Sequence, residues 1–562
     1  MAAQGESVLA DHPSADALTA IVSAEDLEWL TQQGSVLSVS ADAVVRPHGQ
    51  LLGGLLKTVT GVVGGVGKLA TGTVSGLLGT VGSIIDPKMD AGGEPVPAAV
   101  LRATLGLSGN WSGAGVGVAV IDSGLEMSSE FSGRVTAFYD FTNGRADLGT
   151  PYDDYGHGTH VAGTIGGSGA LSSRRENRGL APDVELVVFK VLDASGSGYT
   201  SDVIRAVDFA VANRVRLGID IINLSLGHPI YEPAATDPLV QAVERASRAG
   251  IVVIAAAGNM GTNPTTGLTG YAGITSPGNA PSAITVGALS TSNTVSRADD
   301  RIPDYSSAGP TWYDALVKPD LLAPGHRIVA VAAKRGTIYR DYPQLRSADP
   351  DYIRLSGTSM ATAVTSGVVA QVLEANRAEN RGNPPLTPNA VKGLLQYTSV
   401  AVRNDLGVEY DLLRAGTGGL NGGGAVQVAM AIDTTTRPGG FWLRPEPRTW
   451  TTIDGEHLVW QQAVIWGSAV IWGSTVPVNQ MAWGNAVIWG SNISWGNAVI
   501  WGSNVVWTDA QSWSDAVIWG STSIGMSHGD AVIWGSTGGL TAQNTAWKNL
   551  NDGGGTSAAS GR

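Results

Sequence analysis

Short apolar runs alternate with helix-like patterns through the middle of the chain. The helix-like stretches 201–215 and 237–250 repeat their apolar side chains at intervals of three and four residues. The second has Asp237 as N-cap and Pro238 at its first position, and Gly250 ends it. The apolar runs read as buried strands and span 116–122, 184–191, 219–226, 251–258 and 283–289. The alternation predicts an α/β domain at 96–432 with a doubly wound, mostly parallel sheet, whose sites lie at the carboxyl ends of the strands.

The residues before this domain form two further segments. Residues 1–50 read as a small α+β unit, with a helix capped by Ser23 followed by an alternating strand. Residues 51–95 are apolar and rich in glycine, and we expect a linker there because glycine weakens an isolated helix. A surface-lying amphipathic segment and a membrane span stay open, although the uncharged run 69–85 is shorter than the roughly 20 residues of a spanning helix.

The residues after this domain are dominated by a tryptophan repeat. Polar residues 433–458 predict a linker, and 459–536 repeat a unit close to AVIWGS with tryptophan at intervals of six. Six is even, so in an extended chain every tryptophan points to the same side, and the interval does not fit a helix. We therefore predict a small β-solenoid or β-roll, followed by a disordered tail at 537–562.

Composition excludes several classes of protein. The 562 residues carry a net charge of −13, which argues against a nucleic-acid-binding protein because such proteins present basic patches. The chain has no cysteine, so disulfides, thiolate catalysis and cysteine-bound zinc are excluded. The N-terminal residues show neither a basic n-region nor a continuous apolar h-region, and we recognise no signal peptide.

Four short motifs carry residues that could perform chemistry. AVIDSG ends a strand in Asp122, YGHGTHVAG opens a helix with His157, AAAGN ends a strand in Asn259, and LSGTSMA places Ser359 where a turn meets a helix. Each side chain alone could be a cap, a turn residue or part of the core. Together they supply a nucleophile, a base, an orienting acid and an amide donor.

At these motifs the chain resembles the subtilisin-like serine proteases (subtilases), over roughly residues 100–430. The order Asp, His, Ser is the order found in subtilisin. The resemblance implies a serine endopeptidase in which Ser359 attacks the peptide carbonyl, His157 transfers the proton and Asp122 orients the imidazole. The Asn259 side chain and the Ser359 backbone N–H would form the oxyanion hole.

The resemblance also assigns a substrate-binding region. The walls of the main specificity pocket would be Ser225, Leu226 and Gly227 on one side and Ala256, Ala257 and Gly258 on the other. Thr275 is our candidate for the base of the pocket, which carries no fixed charge and should prefer apolar or medium-sized side chains. Ala363 and Val364 depart from the family pattern, which has Pro and His there, but neither position carries chemistry.

The chemistry needs no cofactor, and a structural calcium ion is left open. Many subtilases bind calcium, and this chain has acidic loop residues at Asp140, Asp147, Asp153 and Asp154. Their spacing does not define a site, so solvated loop carboxylates are the simpler interpretation.

Residues 14–47 resemble the C-terminal half of the inhibitory propeptide of the family. The front half is missing, which favours a start upstream of Met1 or a truncated remnant. A complete propeptide would imply export and self-cleavage between about 86 and 100. We therefore expect a secreted or cell-surface endopeptidase acting on proteins or peptides.

Two alternatives stay open. The first is an intracellular, cytoplasmic or narrow-specificity processing protease, which the lack of a recognisable signal peptide supports. The second is a surface-binding protein that acts through its tryptophan repeats, since rows of tryptophan can stack on sugars or lie at membrane interfaces. Contact with a membrane or cell surface could also involve residues 51–86.

Overall fold

The fold is taken from a computed structural model of the chain. It describes residues 7–12, 17–22, 39–47, 94–262, 268–435, 443, 448–466, 469–472, 500–501, 517–519 and 532–534. The predicted helix after Ser23, residues 51–93 of the predicted linker 51–95 and most of the tryptophan repeat lie outside these ranges. Within them, no helix is both long enough and apolar enough to cross a membrane.

An eight-stranded sheet forms the centre of the domain. Its strands are β4 (Gly117–Asp122), β5 (Val135–Asp140), β6 (Asp147–Leu148), β7 (Glu185–Lys190), β9 (Ile219–Leu224), β11 (Val252–Ala256), β13 (Ile284–Leu289) and β14 (Leu321–Pro324). The order across the sheet is β14-β13-β11-β9-β4-β7-β5-β6, and only the β5–β6 pair is antiparallel. The predicted α/β class with a mostly parallel sheet is therefore confirmed.

Nine α-helices in the described ranges surround and extend the sheet. They are α1 (Ala98–Thr104), α2 (His157–Gly166), α3 (Thr200–Leu217), α4 (Pro238–Arg248), α5 (Thr337–Asp341), α6 (Thr358–Glu379), α7 (Pro388–Thr398), α8 (Leu412–Ala415) and α9 (Gly422–Ala431). Short 3-10 turns lie at Ser129–Phe131, Ser173–Arg175 and Pro343–Leu345. Asp237 caps α4 as predicted, with its carboxylate accepting from the N–H groups of Leu239 and Val240.

The sheet is buried on both faces, which explains the continuous apolar runs of its strands. Val118 and Val120 point into a core with α2 and α6, whereas Ala119 and Ile121 point into a second core with α3 and α4. Because side chains alternate along a strand, each strand must be apolar on both sides. This packing fixes the carboxyl ends of β4, β9 and β11 side by side.

Smaller strands form separate sheets. They are β1 (Ser7–His12), β2 (Ala17–Ile21), β3 (Val44–Pro47), β8 (Gly198–Tyr199), β10 (Leu226–Pro229), β12 (Thr275–Ser276), β15 (Ile328–Val331) and β16 (Tyr352–Leu355). The pairs β1–β2 and β15–β16 are antiparallel, and the order β12-β10-β3-β8 forms a separate four-stranded sheet. The N-terminal segment therefore contributes β3 to a sheet of the domain.

A hairpin packs on the domain where the sequence predicted a linker at 433–458. Strands β17 (Trp450–Ile453) and β18 (Glu456–Val459) form it, and the Ile453 side chain is buried. The Asn421 amide donates to the Thr451 hydroxyl, and the Glu456 carboxylate accepts from Ser296. The polar composition that suggested a linker instead supplies hydrogen bonds to the domain surface.

The described part of the tryptophan repeat consists of short strands. They are β19 (Ala463–Trp466), β20 (Ala469–Trp472), β21 (Ile500–Trp501), β22 (Val517–Trp519) and β23 (Val532–Trp534). The pair β19–β20 is antiparallel, and β21, β22 and β23 pair in parallel with tryptophan beside tryptophan. The solenoid itself stays a prediction, because the residues that would connect these strands lie outside the described ranges.

Candidate active site

Asp122 and His157 meet at the carboxyl end of β4. His157 Nδ1 lies 2.8 Å from Asp122 Oδ1 and 3.0 Å from Oδ2, and both side chains are buried. The Ser123 N–H also donates to Asp122 Oδ1. A buried carboxylate needs such partners, because burial without them disfavours its charged form.

Asp153 fixes the helix start that carries His157. Its carboxylate accepts from the N–H groups of Gly156 and Thr159 at the beginning of α2 and from the Ser123 hydroxyl beside Asp122. One carboxylate therefore joins the end of β4 to the start of α2 and sets the geometry of the Asp122–His157 pair.

Ser359 is the second residue of α6 and is fully buried. The turn before it is held by Gly357 N–H, which donates to the Gly325 carbonyl, and by the Ser356 hydroxyl, which accepts from Arg327 N–H. The Ser359 hydroxyl donates to the Ser225 carbonyl at 2.8 Å. His157 Nε2 is buried and has no hydrogen-bond partner within the described part of the chain.

Asn259 follows β11 and reaches the same helix start. Its Oδ1 accepts from both the N–H and the hydroxyl of Thr358, each at 3.0 Å. Its Nδ2 is buried without a partner among the described residues. The amide is thus held by its oxygen, and its two N–H groups are left to bind an oxygen of a ligand.

The predicted pocket residues occupy two neighbouring segments. Ser225, Leu226 and Gly227 lie at the end of β9 and in β10, whereas Ala256, Ala257 and Gly258 continue β11. Thr275 joins them, since its hydroxyl contacts the Ala257 carbonyl and its strand pairs with β10. Gly258 has a φ of +111°, and a Cβ there would come within 2.9 Å of the Thr275 side chain, so a larger residue would strain this wall.

A segment of the chain itself lies along the first of these walls. Strand β3 pairs with β10 through Pro47 opposite Leu226 and Arg46 opposite Gly227, and its other edge pairs with β8. Val45 is fully buried in the core formed with α3 and α4. Asp42, just upstream, accepts from the N–H and the hydroxyl of Ser201 in the first turn of α3.

The acidic loop residues considered for calcium have other partners. Asp140 accepts from Tyr152 and Thr142, Asp147 accepts from Asn143, and Asp154 pairs with Lys190. Asp153 holds α2 as described above. Across the ranges that the structure describes, no group of three or more His, Cys, Asp or Glu side chains is arranged to hold a metal ion.

Comparison with known proteins decides the family. Residues 113–418, more than half of the chain, match the description "Subtilase family". The chain belongs to the subtilase family. Serine protease AprX of Bacillus subtilis (strain 168) is 41% identical over 290 residues, which cover 51% of this chain and 61% of that relative. Subtilisin DY of Bacillus licheniformis is 33% identical over 289 residues, covering 51% of this chain and 85% of that relative.

A third subtilase relative gives the same picture. Subtilisin E of Bacillus subtilis (strain 168) is 35% identical over 298 residues, covering 53% of this chain and 64% of that relative. The chain thus spans less than two thirds of AprX and of Subtilisin E.

Two features of this subtilase site escape sequence reasoning. The first is the contact of Thr358 with Asn259, and the second is the pair of contacts of Ser225 with the carbonyl and the hydroxyl of Ser359. Ser225 was predicted as a pocket wall, but not as a partner of the nucleophile. The position of strand β3 between β10 and β8 was also not expected. Its signal was the alternation in "ADAVVRP", which predicts a strand but not its partner.

Proposed function

We propose that this chain is a serine endopeptidase that hydrolyses peptide bonds through Ser359, His157 and Asp122. The observation that carries the proposal is the buried contact between His157 Nδ1 and Asp122, which leaves Nε2 without a partner among the described residues. A carboxylate on Nδ1 keeps the proton there, so Nε2 presents its lone pair as a base.

In the proposed reaction the Ser359 hydroxyl turns from the Ser225 carbonyl to His157 Nε2. The imidazole takes the hydroxyl proton while Oγ attacks the substrate carbonyl, and it later gives the proton to the leaving amine. Water then repeats the sequence on the acyl-enzyme. The Ser225 carbonyl becomes available to a backbone N–H of the substrate, which would compete for it with the serine hydroxyl.

Negative charge on the substrate oxygen would be stabilised by two donors. The Asn259 Nδ2 group has no partner among the described residues, and the Ser359 N–H lies in the first turn of α6, where backbone N–H groups have no partner within the helix. The 22 residues of α6 also direct the positive end of the helix dipole to this position.

Strand β3 indicates how a substrate would bind. An extended peptide paired with both β10 and β8 would be held through its backbone, which demands little of its sequence. In a substrate that follows the register of β3, the residue opposite Ser225, whose carbonyl contacts the nucleophile, would be the first before the scissile bond. Pro47, Arg46 and Val45 would then occupy the second, third and fourth positions before the scissile bond.

This register changes the expected position of self-cleavage. The sequence predicted cleavage between about 86 and 100, whereas the pairing of β3 supports cleavage directly after residue 48. N-terminal sequencing of the processed chain would then give Gly49 first. A product that begins within 87–101 would contradict this proposal.

The experiment that tests the activity is hydrolysis of a peptide library by the purified full chain, with and without a sulfonyl fluoride. We expect cleavage that the reagent abolishes, with apolar or medium-sized residues before the cut. Cleavage that survives complete reaction with the sulfonyl fluoride would contradict a serine mechanism.

A further inference from the structure

A chain of hydrogen bonds joins the nucleophile Ser359 to a later turn of the same helix. The Ser366 hydroxyl lies 2.9 Å from Asn223 Oδ1 and 2.9 Å from the Thr362 carbonyl, so two acceptors share its proton. Asn223 Nδ2 lies 2.9 Å from the Ser225 hydroxyl, and that hydroxyl donates to the Ser359 carbonyl at 3.0 Å. All five residues are completely buried. Ser366 lies seven residues after Ser359, two turns further along the same face of α6, so the chain of hydrogen bonds begins and ends on this helix.

Ser225 makes hydrogen bonds to both the hydroxyl and the carbonyl of Ser359. Its carbonyl accepts from the Ser359 hydroxyl, and its own hydroxyl donates to the Ser359 carbonyl. A hydroxyl group can rotate, so the direction in which its O–H points depends on the donor from which its oxygen accepts a hydrogen bond. Here Asn223 Nδ2 donates to the Ser225 oxygen and directs its proton to Ser359.

Asn223 cannot reach a substrate itself. Its oxygen faces Ser366, its nitrogen faces Ser225, and its side chain lies at 0% exposure at the end of β9. Asn259, by contrast, has an amide nitrogen without a partner among the described residues. The two amides therefore differ in what they can do, although both contact α6: Asn259 binds Thr358 in its first turn, and Asn223 binds Ser366 further along the helix.

We propose that Asn223 is a positioning residue for the nucleophile, acting through the Ser225 hydroxyl and held in turn by Ser366 from α6. This inference rests on the proposed protease function. Its effect is to fix the first turn of α6, which carries both the Ser359 hydroxyl and the Ser359 N–H. Small displacements of a reacting group can lower a rate by about 10²-fold, so the position of this turn should govern kcat.

The first test is the steady-state kinetics of Asn223→Ala and Ser366→Ala in the full chain. We expect Asn223→Ala to lower kcat about 10–100-fold with KM within about twofold, because Asn223 is fully buried and is not itself one of the predicted pocket walls. Ser366→Ala should lower kcat less, by about 2–10-fold, as expected for the loss of one hydrogen bond. The matched control is Thr365→Val, which removes a buried hydroxyl that bonds only the Ala361 carbonyl within α6 and should leave kcat unchanged.

A double-mutant cycle separates positioning from general damage. If Asn223 acts through Ser225, the variant Asn223→Ala/Ser225→Ala should lose no more kcat than the worse single variant. Effects that multiply would overturn the proposal, as would an Asn223→Ala enzyme with unchanged kcat or with only a raised KM.

The rate of reaction of Ser359 with a sulfonyl fluoride gives a readout without a peptide substrate. It should fall in Asn223→Ala in parallel with kcat, and an unchanged rate would contradict the proposal. If Asn223→Ala does not fold, Ser366→Ala still tests the proposal. A kcat of Ser366→Ala equal to that of Thr365→Val would overturn it. If the parent chain hydrolyses no peptide, the proposed protease function is refuted. This outcome is distinct from a failure of the positioning role of Asn223, which would show only in the variants.

Discussion

At the scale of single residues, Asn259 has the most direct link to catalysis. Its amide oxygen is held by Thr358, and its nitrogen has no partner in the part of the chain that the structure describes. We expect Asn259→Ala to lower kcat by about 10²–10³-fold, the loss known for the same kind of donor in subtilisin, with little change in KM. Steady-state kinetics checks this, with Asn213→Ala on α3 as the control. A variant with a raised KM and an unchanged kcat would contradict the role of Asn259 in stabilising the oxyanion.

His160 should make stability depend on pH. Burial lowers its pKa to about 3, an effect that the nearby His157 adds to and the hydrogen bond to the Ile328 carbonyl opposes. Between pH 6.5 and 3 the unfolded chain therefore binds a proton that the folded chain does not. The free energy of unfolding should fall as pH drops through this window, by up to about 1.4 kcal/mol per pH unit, and His160 should contribute nothing above it.

Urea unfolding of a Ser359→Ala chain, which is spared self-digestion, measures this dependence. His160→Gln should flatten the acid slope, because glutamine does not titrate and can still donate to the Ile328 carbonyl. Exposed His457→Gln is the control and should keep the slope of the parent. An unchanged slope in His160→Gln would refute the assignment.

Sequence and structure agree best on residues whose chemistry is rare. An aspartate at the end of an apolar strand and a histidine between two glycines are unusual enough to be noticed. The structure brings Asp122 and His157 into contact and places Asn259 against the residue before Ser359. Asn223 and Thr358 could not be found this way, and Ser225 was predicted only as a pocket wall, because their contacts with α6 depend on the folded arrangement.

At the scale of elements, β3 should restrain the activity of the intact chain. It lies between β10 and β8 and pairs with both, and its Val45 side chain is buried in the core. We expect Val45→Asp to expel the segment, because a carboxylate in this apolar position would lack a partner. The initial rate of peptide hydrolysis should rise and any lag should shorten.

The control for this prediction lies in the same segment. Val39 is 43% exposed, so Val39→Asp introduces the same charge without burying it and should leave the lag unchanged. Equal behaviour of Val45→Asp and the parent chain would show that β3 does not restrain activity.

Among the elements of the central sheet, those with a continuous apolar run were predicted and those without one were not. The strands β4, β7, β11 and β13 and the helices α3 and α4 lie where the apolar patterns indicated, within a few residues. Strand β5 escaped because VTAFYD lacks a continuous apolar run. Strand β14 escaped because it has four residues and ends in proline. Pairing with neighbours, which a single segment does not encode, determines both strands.

At the scale of the whole molecule, the hairpin β17–β18 extends the catalytic unit beyond residue 432. Trp460 is buried after it, donates from Nε1 to the Thr451 hydroxyl and contacts the Tyr397 ring edge-on. Trp460→Ala should therefore lower the free energy of unfolding by about 3–5 kcal/mol. The neighbouring Val459→Ala, at an exposed position, should change it by less than about 0.5 kcal/mol.

Urea unfolding of the two variants in the Ser359→Ala background measures the difference. Equal stabilities would mean that the hairpin is a separate appendage. Sequence reasoning placed a boundary here because polar residues and prolines are typical of linkers. Contacts with the distant residues Asn421 and Ser296, which the local composition does not reveal, hold the segment in place.

The most direct test of the account is active-site titration with a sulfonyl fluoride, followed by mass mapping of the modified residue. The account predicts one label per chain, located on Ser359, with peptide hydrolysis lost in proportion to labelling. It also predicts that Ser359→Ala neither takes the label nor hydrolyses peptides. Hydrolysis by Ser359→Ala at the parental rate, or inactivation by a label on another residue, would contradict it.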